Sequence, residues 1–176
     1  MAGPPRRRFR GQCAMSVRTR PSTRMWIPRD NPAVYKALVA LQRASSAGVD
    51  AEIGELISMR VSQLNGCAYC LHMHAGDALA AQIDPHKLLM LPAWREAGPV
   101  FDARERAVLA LAEQLTLLGD RAVTDDVFDD VRVHFGAVET GQLVAAIAMI
   151  NTWNRIAIAG GYPAGLDERR ASVTVG

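Results

Sequence analysis

From residue 31 onward the apolar positions recur every three or four residues and never alternate in twos, so the chain predicts helices and no strands. Asn31 followed by Pro32 supplies an N-cap and a first helical position, and Val34, Leu38 and Leu41 then repeat at helical spacing until Gly48. Asp50 can cap a second helix, which carries Ile53, Leu56, Ile57, Val61 and Leu64 and stops at Asn65-Gly66. A third, rich in alanine, runs from about Cys67 to Gln82, and Asp84-Pro85 opens a short fourth that Pro92 ends. Asp102 and Glu105 have the spacing of a capping box at the head of a fifth, with Gly119 after its end. Thr124 caps the next, and Asp125 and Asp126 lie where the helix dipole favours acids. The last and longest, about 138–159, is nearly all apolar, as a central or interfacial helix would be. The expected fold is all-α, a single helical domain with short loops.

The length of 176 residues suits one domain with a sizeable core. The formal charge of +2 conceals an asymmetry: Arg6, Arg7, Arg8, Arg10, Arg18, Arg20, Arg24 and Arg29 crowd a stretch without a single acid. Residues 1–29 are therefore expected to be a disordered leader, 30–162 the helical domain and 163–176 a tail. The body that remains is net acidic, which argues against nucleic acid as a partner. The apolar run Leu143–Ile150 continues into Asn151, Asn154 and Arg155, so no membrane span is expected, and no apolar stretch follows Arg6–Arg8 as an export signal requires. Three cysteines do not make a disulfide framework, and the expected compartment is the cytoplasm.

Candidate chemistry concentrates in "NGCAYCLHMHAG", residues 65–76. On a helix that turns roughly 100° per residue, Cys67, Cys70 and His74 fall within one face, whereas Tyr69 and His72 point elsewhere. A thiol at a helix N-terminus, or one turn from an imidazole, has a lowered pKa; Cys67 has the first advantage and Cys70 the second. Two sulfurs at this spacing can close a disulfide, which supports a cycle of attack, resolution and external reduction. Two other readings remain open on spacing alone. Both cysteines could simply pack in a core. A structural zinc site could also form, but this helix offers at most three ligands, and a fourth would have to come from Glu55 or His134.

The stretch "ELISMRVSQLNGCAYCLHMHAGDALA" (55–80) resembles the core signature of the alkylhydroperoxidase AhpD-like, carboxymuconolactone decarboxylase family: a glutamate, eleven residues, then C-x-x-C-x-x-x-H. Glu55, Cys67, Cys70 and His74 satisfy every spacing, and the resemblance continues through residues 91–116 and 151–159. It implies a helical fold assembled as a homo-oligomer, trimer or hexamer, and a thiol peroxidase with no organic cofactor and no metal. It further implies Cys70 as the peroxidatic thiol, Cys67 as its resolving partner, and Glu55 with His74 as the proton relay. The implied substrates are a hydroperoxide and a lipoyl-protein or thioredoxin-like dithiol reductant. Tyr69 departs from the histidine that such peroxidases carry before the second cysteine, and a phenol titrating near 10 is a poor relay at neutral pH. The alternatives within the resemblance are a lactone-processing decarboxylase, which does not depend on a cysteine pair, and a non-enzymatic redox-sensing or zinc-binding oligomer.

Taken alone, Glu55 lies opposite Ile57, Val61 and Leu64 on the wheel, yet Leu56 and Met59 flank it. A second apolar surface on that side would desolvate its carboxyl and raise its pKa, as a general base needs. His72, His86 and His134 read as exposed or structural, with His134 placed to serve terminal carbonyls, and Trp94, Trp153 and Arg155 as packing or subunit contacts. Cys13 has no assigned role.

Overall fold

The structure, a computed structural model, describes residues 23–119 and 123–165; Cys13, most of the arginine-rich leader and most of the tail lie outside the described residues. Those residues form α1 (Ile27–Asp30), α2 (Pro32–Ser46), α3 (Ala51–Asn65), α4 (Ala68–Ala80), α5 (Pro85–Met90), α6 (Ala103–Thr116), α7 (Asp125–His134) and α8 (Ala137–Gly160). Two single 3-10 turns, Leu91–Ala93 and Gly98–Val100, join α5 to α6, and no strand occurs among the described residues. The expected all-α fold is what the chain adopts.

The boundaries follow local chemistry. Asp50 accepts hydrogen bonds from the amides of Glu52 and Ile53 at the head of α3, and Asp84 does the same for His86 at the head of α5. Asp102 and Glu105 form the full capping box of α6, each side chain accepting the other's amide at 2.9 Å. Gly66 ends α3 in the left-handed conformation (φ 66°), a backbone that costs glycine nothing, and so turns the chain directly into α4.

The core is organised by α3, which is apolar on two sides. Ile53, Ile57 and Val61 meet Val108 and Leu111 of α6 and Leu143 and Ile147 of α8. Leu56 and Met59 meet Ala78, Leu91, Trp94 and Leu109 in a second cluster, the surface expected to cover the Glu55 side. Helix α8, by length and composition alone, could cross a membrane; here it is the helix against which α2, α3 and α6 pack, and Asn151 and Asn154 lie on its buried face.

Packing begins before residue 30, inside the stretch assigned to the leader. Ile27 is buried and its amide donates to Tyr162 Oη at 2.9 Å, while the Trp26 ring lies 4.4 Å from that of Tyr162. The amide of Arg24 donates to Gly160 O at 2.8 Å. The apolar Trp26 and Ile27 interrupt the polar composition on which the leader was drawn, and they cover the end of α8. Gly160 is required there: a Cβ would collide with the Tyr162 ring and stand 2.9 Å from Met25 O.

Leu111 is fully buried between α3, α6 and α8. Leu111→Ala should lower the unfolding free energy by about 2–5 kcal/mol, read from urea denaturation.

Candidate active site

The cysteine pair sits at the corner between α3 and α4. Cys67 is not inside a helix: with φ −85° and ψ 93° it is the N-cap of α4, and its Sγ accepts the amide hydrogen of Cys70 at 3.4 Å. A sulfur thus does what a serine or aspartate oxygen usually does at a helix start. This changes the helical-wheel picture, because a wheel extrapolates helical geometry through a residue whose backbone is extended. Cys70 and His74 do share the inner side of α4, and Cys67 joins them by capping. Tyr69, which the wheel turns away, instead stands beside Cys67.

Both cysteines are free and buried, each 1% exposed. The Cys67 thiol is pulled down to about 7, first because the Cys70 thiol donates to it, then through the amides of Cys70 and Tyr69 and the field of His74, against the cost of burial. Cys70 moves the opposite way: its hydrogen is engaged by Cys67, it is buried, and a second negative sulfur beside the first is unfavourable. The two shifts describe one proton held between two sulfurs. Once the pair has lost one proton, the one that remains rests on Cys70 and the anion on Cys67.

The expected partners converge from two helices. His74 Nδ1 lies 2.9 Å from Glu55 Oε2, a pairing between α4 and α3, with the two side chains 15% and 22% exposed. Asp77, one turn further along α4, brings a carboxylate oxygen within 4.8 Å of the ligand atoms of both, so among the described residues Glu55, His74 and Asp77 form a group that could hold a cation. Neither cysteine belongs to that set, and His134 does not either, lying 4.0 Å from Asp130.

Sequence reading missed the polar floor beneath the sulfurs. Asn154 is fully buried on α8 and hydrogen bonds to Cys70, drawing its pKa down against the larger opposing influences. Its amide donates to Ser62 Oγ at 3.0 Å, and its carbonyl accepts from Asn65 Nδ2 at 2.9 Å. Asn65 Nδ2 also donates to Asn151 Oδ1 at 3.0 Å, and Asn151 in turn donates to Thr116 Oγ1 at 3.0 Å. Two asparagines three apart in an otherwise apolar helix were the available signal, since polar groups on a buried face need partners.

A cavity of about 190 Å³ opens next to the pair. Arg24, Asn65, Cys67, Tyr69, Ile158 and Tyr162 are among its walls; Cys70 is not. Tyr69 meets Tyr162 edge to face at 5.3 Å. The remaining candidates fall outside the site. His72 and His86 are exposed, Trp94 is buried with its Nε1 donating to Glu113 at 2.8 Å, Trp153 donates to Gln42 at 3.0 Å, and Arg155 donates to Asn151 O at 2.9 Å.

The Carboxymuconolactone decarboxylase family profile matches residues 32–114. The uncharacterized protein YdfG of Bacillus subtilis (strain 168) is 41% identical over 107 residues, 61% of this chain and 72% of that one. A crystal structure from Agrobacterium tumefaciens, of a protein of unknown function suggested to be an antioxidant defence protein AhpD, is 31% identical with a TM-score of 0.78. That match covers 83% of this chain and 100% of the other. An uncharacterized peroxidase-related protein from Silicibacter sp. TM1040 is 25% identical with a TM-score of 0.68, over 77% and 72% of the two chains. The chain therefore belongs to the carboxymuconolactone decarboxylase family and has its AhpD-like helical fold. At family level this supports an enzyme, peroxidase-related or decarboxylase-like in kind.

Alkylation of Cys67 by iodoacetamide should follow the thiolate, with a midpoint near pH 7, and slow as the pH falls below it. Cys70→Ala removes the largest cause of the lowered pKa, so the midpoint should move up. Asn154→Leu should cost about 1–3 kcal/mol in urea denaturation by stranding Ser62 and Asn65.

Proposed function

We propose that the protein is a thiol-dependent peroxidase that reduces organic hydroperoxides through Cys67 and Cys70. The observation that carries this is the state of the pair: an ionisable sulfur at the wall of a cavity, with a second thiol donating to it from one turn away. Core cysteines would need neither feature.

In the reading the geometry supports best, the Cys67 thiolate attacks the terminal peroxide oxygen. An S–O bond forms, the O–O bond breaks, and the departing alkoxide takes a proton to leave as the alcohol. The His74–Glu55 pair, Nδ1 to Oε2 at 2.9 Å, is the proton source at hand. Cys70 then attacks the Cys67 sulfenic acid, the S–S bond forms, and the hydroxyl leaves as water with the Cys70 proton. Hydroperoxide and two thiols thus become alcohol, water and one disulfide. A dithiol donor, lipoyl-protein or thioredoxin-like, restores the pair. This exchanges the sulfur roles implied by the resemblance, and the reason is physical: Cys67 lines the cavity and holds the lower pKa.

The same reading takes the protein as a homo-oligomer, trimer or hexamer. Helix α2 buries only Ser45 while leaving Val34 49% and Leu41 55% exposed, an apolar surface suited to a second copy.

Stopped-flow mixing of the reduced, metal-free protein with cumene hydroperoxide should consume two thiols per chain. Cys67→Ser should abolish the fast phase, and Cys70→Ser should stop at a sulfenic acid that dimedone traps on Cys67. Trapping on Cys70 in the Cys67→Ser variant would restore the opposite assignment of roles. Thiols that react no faster than free cysteine would remove the peroxidase reading altogether.

A further inference from the structure

The cavity beside Cys67 carries one cationic side chain, and its chemistry limits what can enter. Its volume, about 190 Å³, is below the range of drug-sized pockets and suits a small organic molecule. Two tyrosine rings, Tyr69 and Tyr162, and Ile158 supply apolar wall, while Arg24 is the charged residue among the lining groups apart from the cysteine itself. Arg24 is not a loose residue of the leader. Its amide is fixed to Gly160 O, and its Nε passes beside Gly161, standing 3.7 Å from where a Cβ would be. Its guanidinium has no acidic partner among the described residues, whereas Arg60 and Arg95 are both paired with Glu113.

We propose that this cavity selects small carboxylate-bearing hydroperoxides, with Arg24 binding the carboxylate while the apolar body lies against Tyr69 and Tyr162. This rests on the peroxidase reading for its chemistry but not for its binding. An anion entering a cavity walled by a thiolate would be repelled, so a cation on the same wall is what admits this class. A guanidinium presents a planar fork matched to a carboxylate, and at the rim of a small cavity it would also fix which end of the substrate faces the sulfur. Nothing is added to the reaction itself. The peroxide oxygen still goes to Cys67 and leaves as water when Cys70 closes the disulfide, and the carboxylate stays on the alcohol product.

The test compares cumene hydroperoxide with its para-carboxylate derivative in single turnovers of the full-length reduced protein. The ratio of the two rates should favour the carboxylated compound, fall about tenfold in Arg24→Gln, and recover in part in Arg24→Lys. Raising ionic strength should lower the ratio in the parent protein only. A binding arm is independent of turnover: the corresponding carboxylated alcohol, which cannot react, should protect Cys67 from iodoacetamide, and Arg24→Gln should lose that protection. Protection without peroxide turnover would sustain the anion site and remove the peroxidase reading. A ratio near one, or a preference or protection that survives Arg24→Gln, would overturn the assignment of Arg24.

Discussion

The site depends on how α8 grips the corner between α3 and α4. Asn65 is the last residue of α3, Gly66 makes the left-handed turn, and Cys67 caps α4, so a small displacement of this corner would move both sulfurs. The side-chain amide of Asn65 is held by Asn151 and Asn154 together, and Asn154 reaches on to Ser62 of α3 and to Cys70 of α4. These groups are buried, and a buried amide left without a partner is costly, so the network has essentially one low-energy arrangement. An apolar floor of equal volume would pack, but it would leave the register of the corner unspecified.

That rigidity gives the sulfurs their unequal character. Cys67 is lowered first because the Cys70 thiol donates to it and then because the amide of Cys70 caps the same sulfur, while Cys70 keeps its own proton. Glu55 and His74 arrive from different helices, and their pairing depends on the packing of α4 on α3. The second apolar cluster, around Leu56 and Met59, is what makes that side of α3 an interior.

The helices themselves were legible in the sequence because their punctuation is local. Asp50, Asp84, the Asp102–Glu105 box and Gly66 each act within a few residues, and each stands where the spacing placed it. The four residues of the signature form two pairs, Glu55 with His74 and Cys70 with Cys67. What the sequence could not convey was non-local. A wheel cannot register that Cys67 leaves the helix, and so it misplaced Tyr69. The roles of Asn151 and Asn154 depend on a corner more than 80 residues away, Asn65 bonding Asn151 at a separation of 86 and Asn154 at 89. The ordered stretch before residue 30 was hidden by its arginines, because composition averages over the two apolar side chains, Trp26 and Ile27, that matter.

The closure of the cavity by both ends of the domain has a kinetic consequence. The cysteine corner lies between two helices adjacent in sequence, whereas Tyr162 on the cavity wall is held by the Ile27 amide, 135 residues away. Contacts between neighbouring helices form quickly, and loop closure over such a separation comes with the full entropic cost of the intervening chain. A ribosome releases Tyr162 only after the rest of the bundle has been made. Cys67, the sulfur on that wall, is therefore the more open of the two until Tyr162 docks, and the reducing conditions of that interval bear on whether the pair starts as dithiol or disulfide.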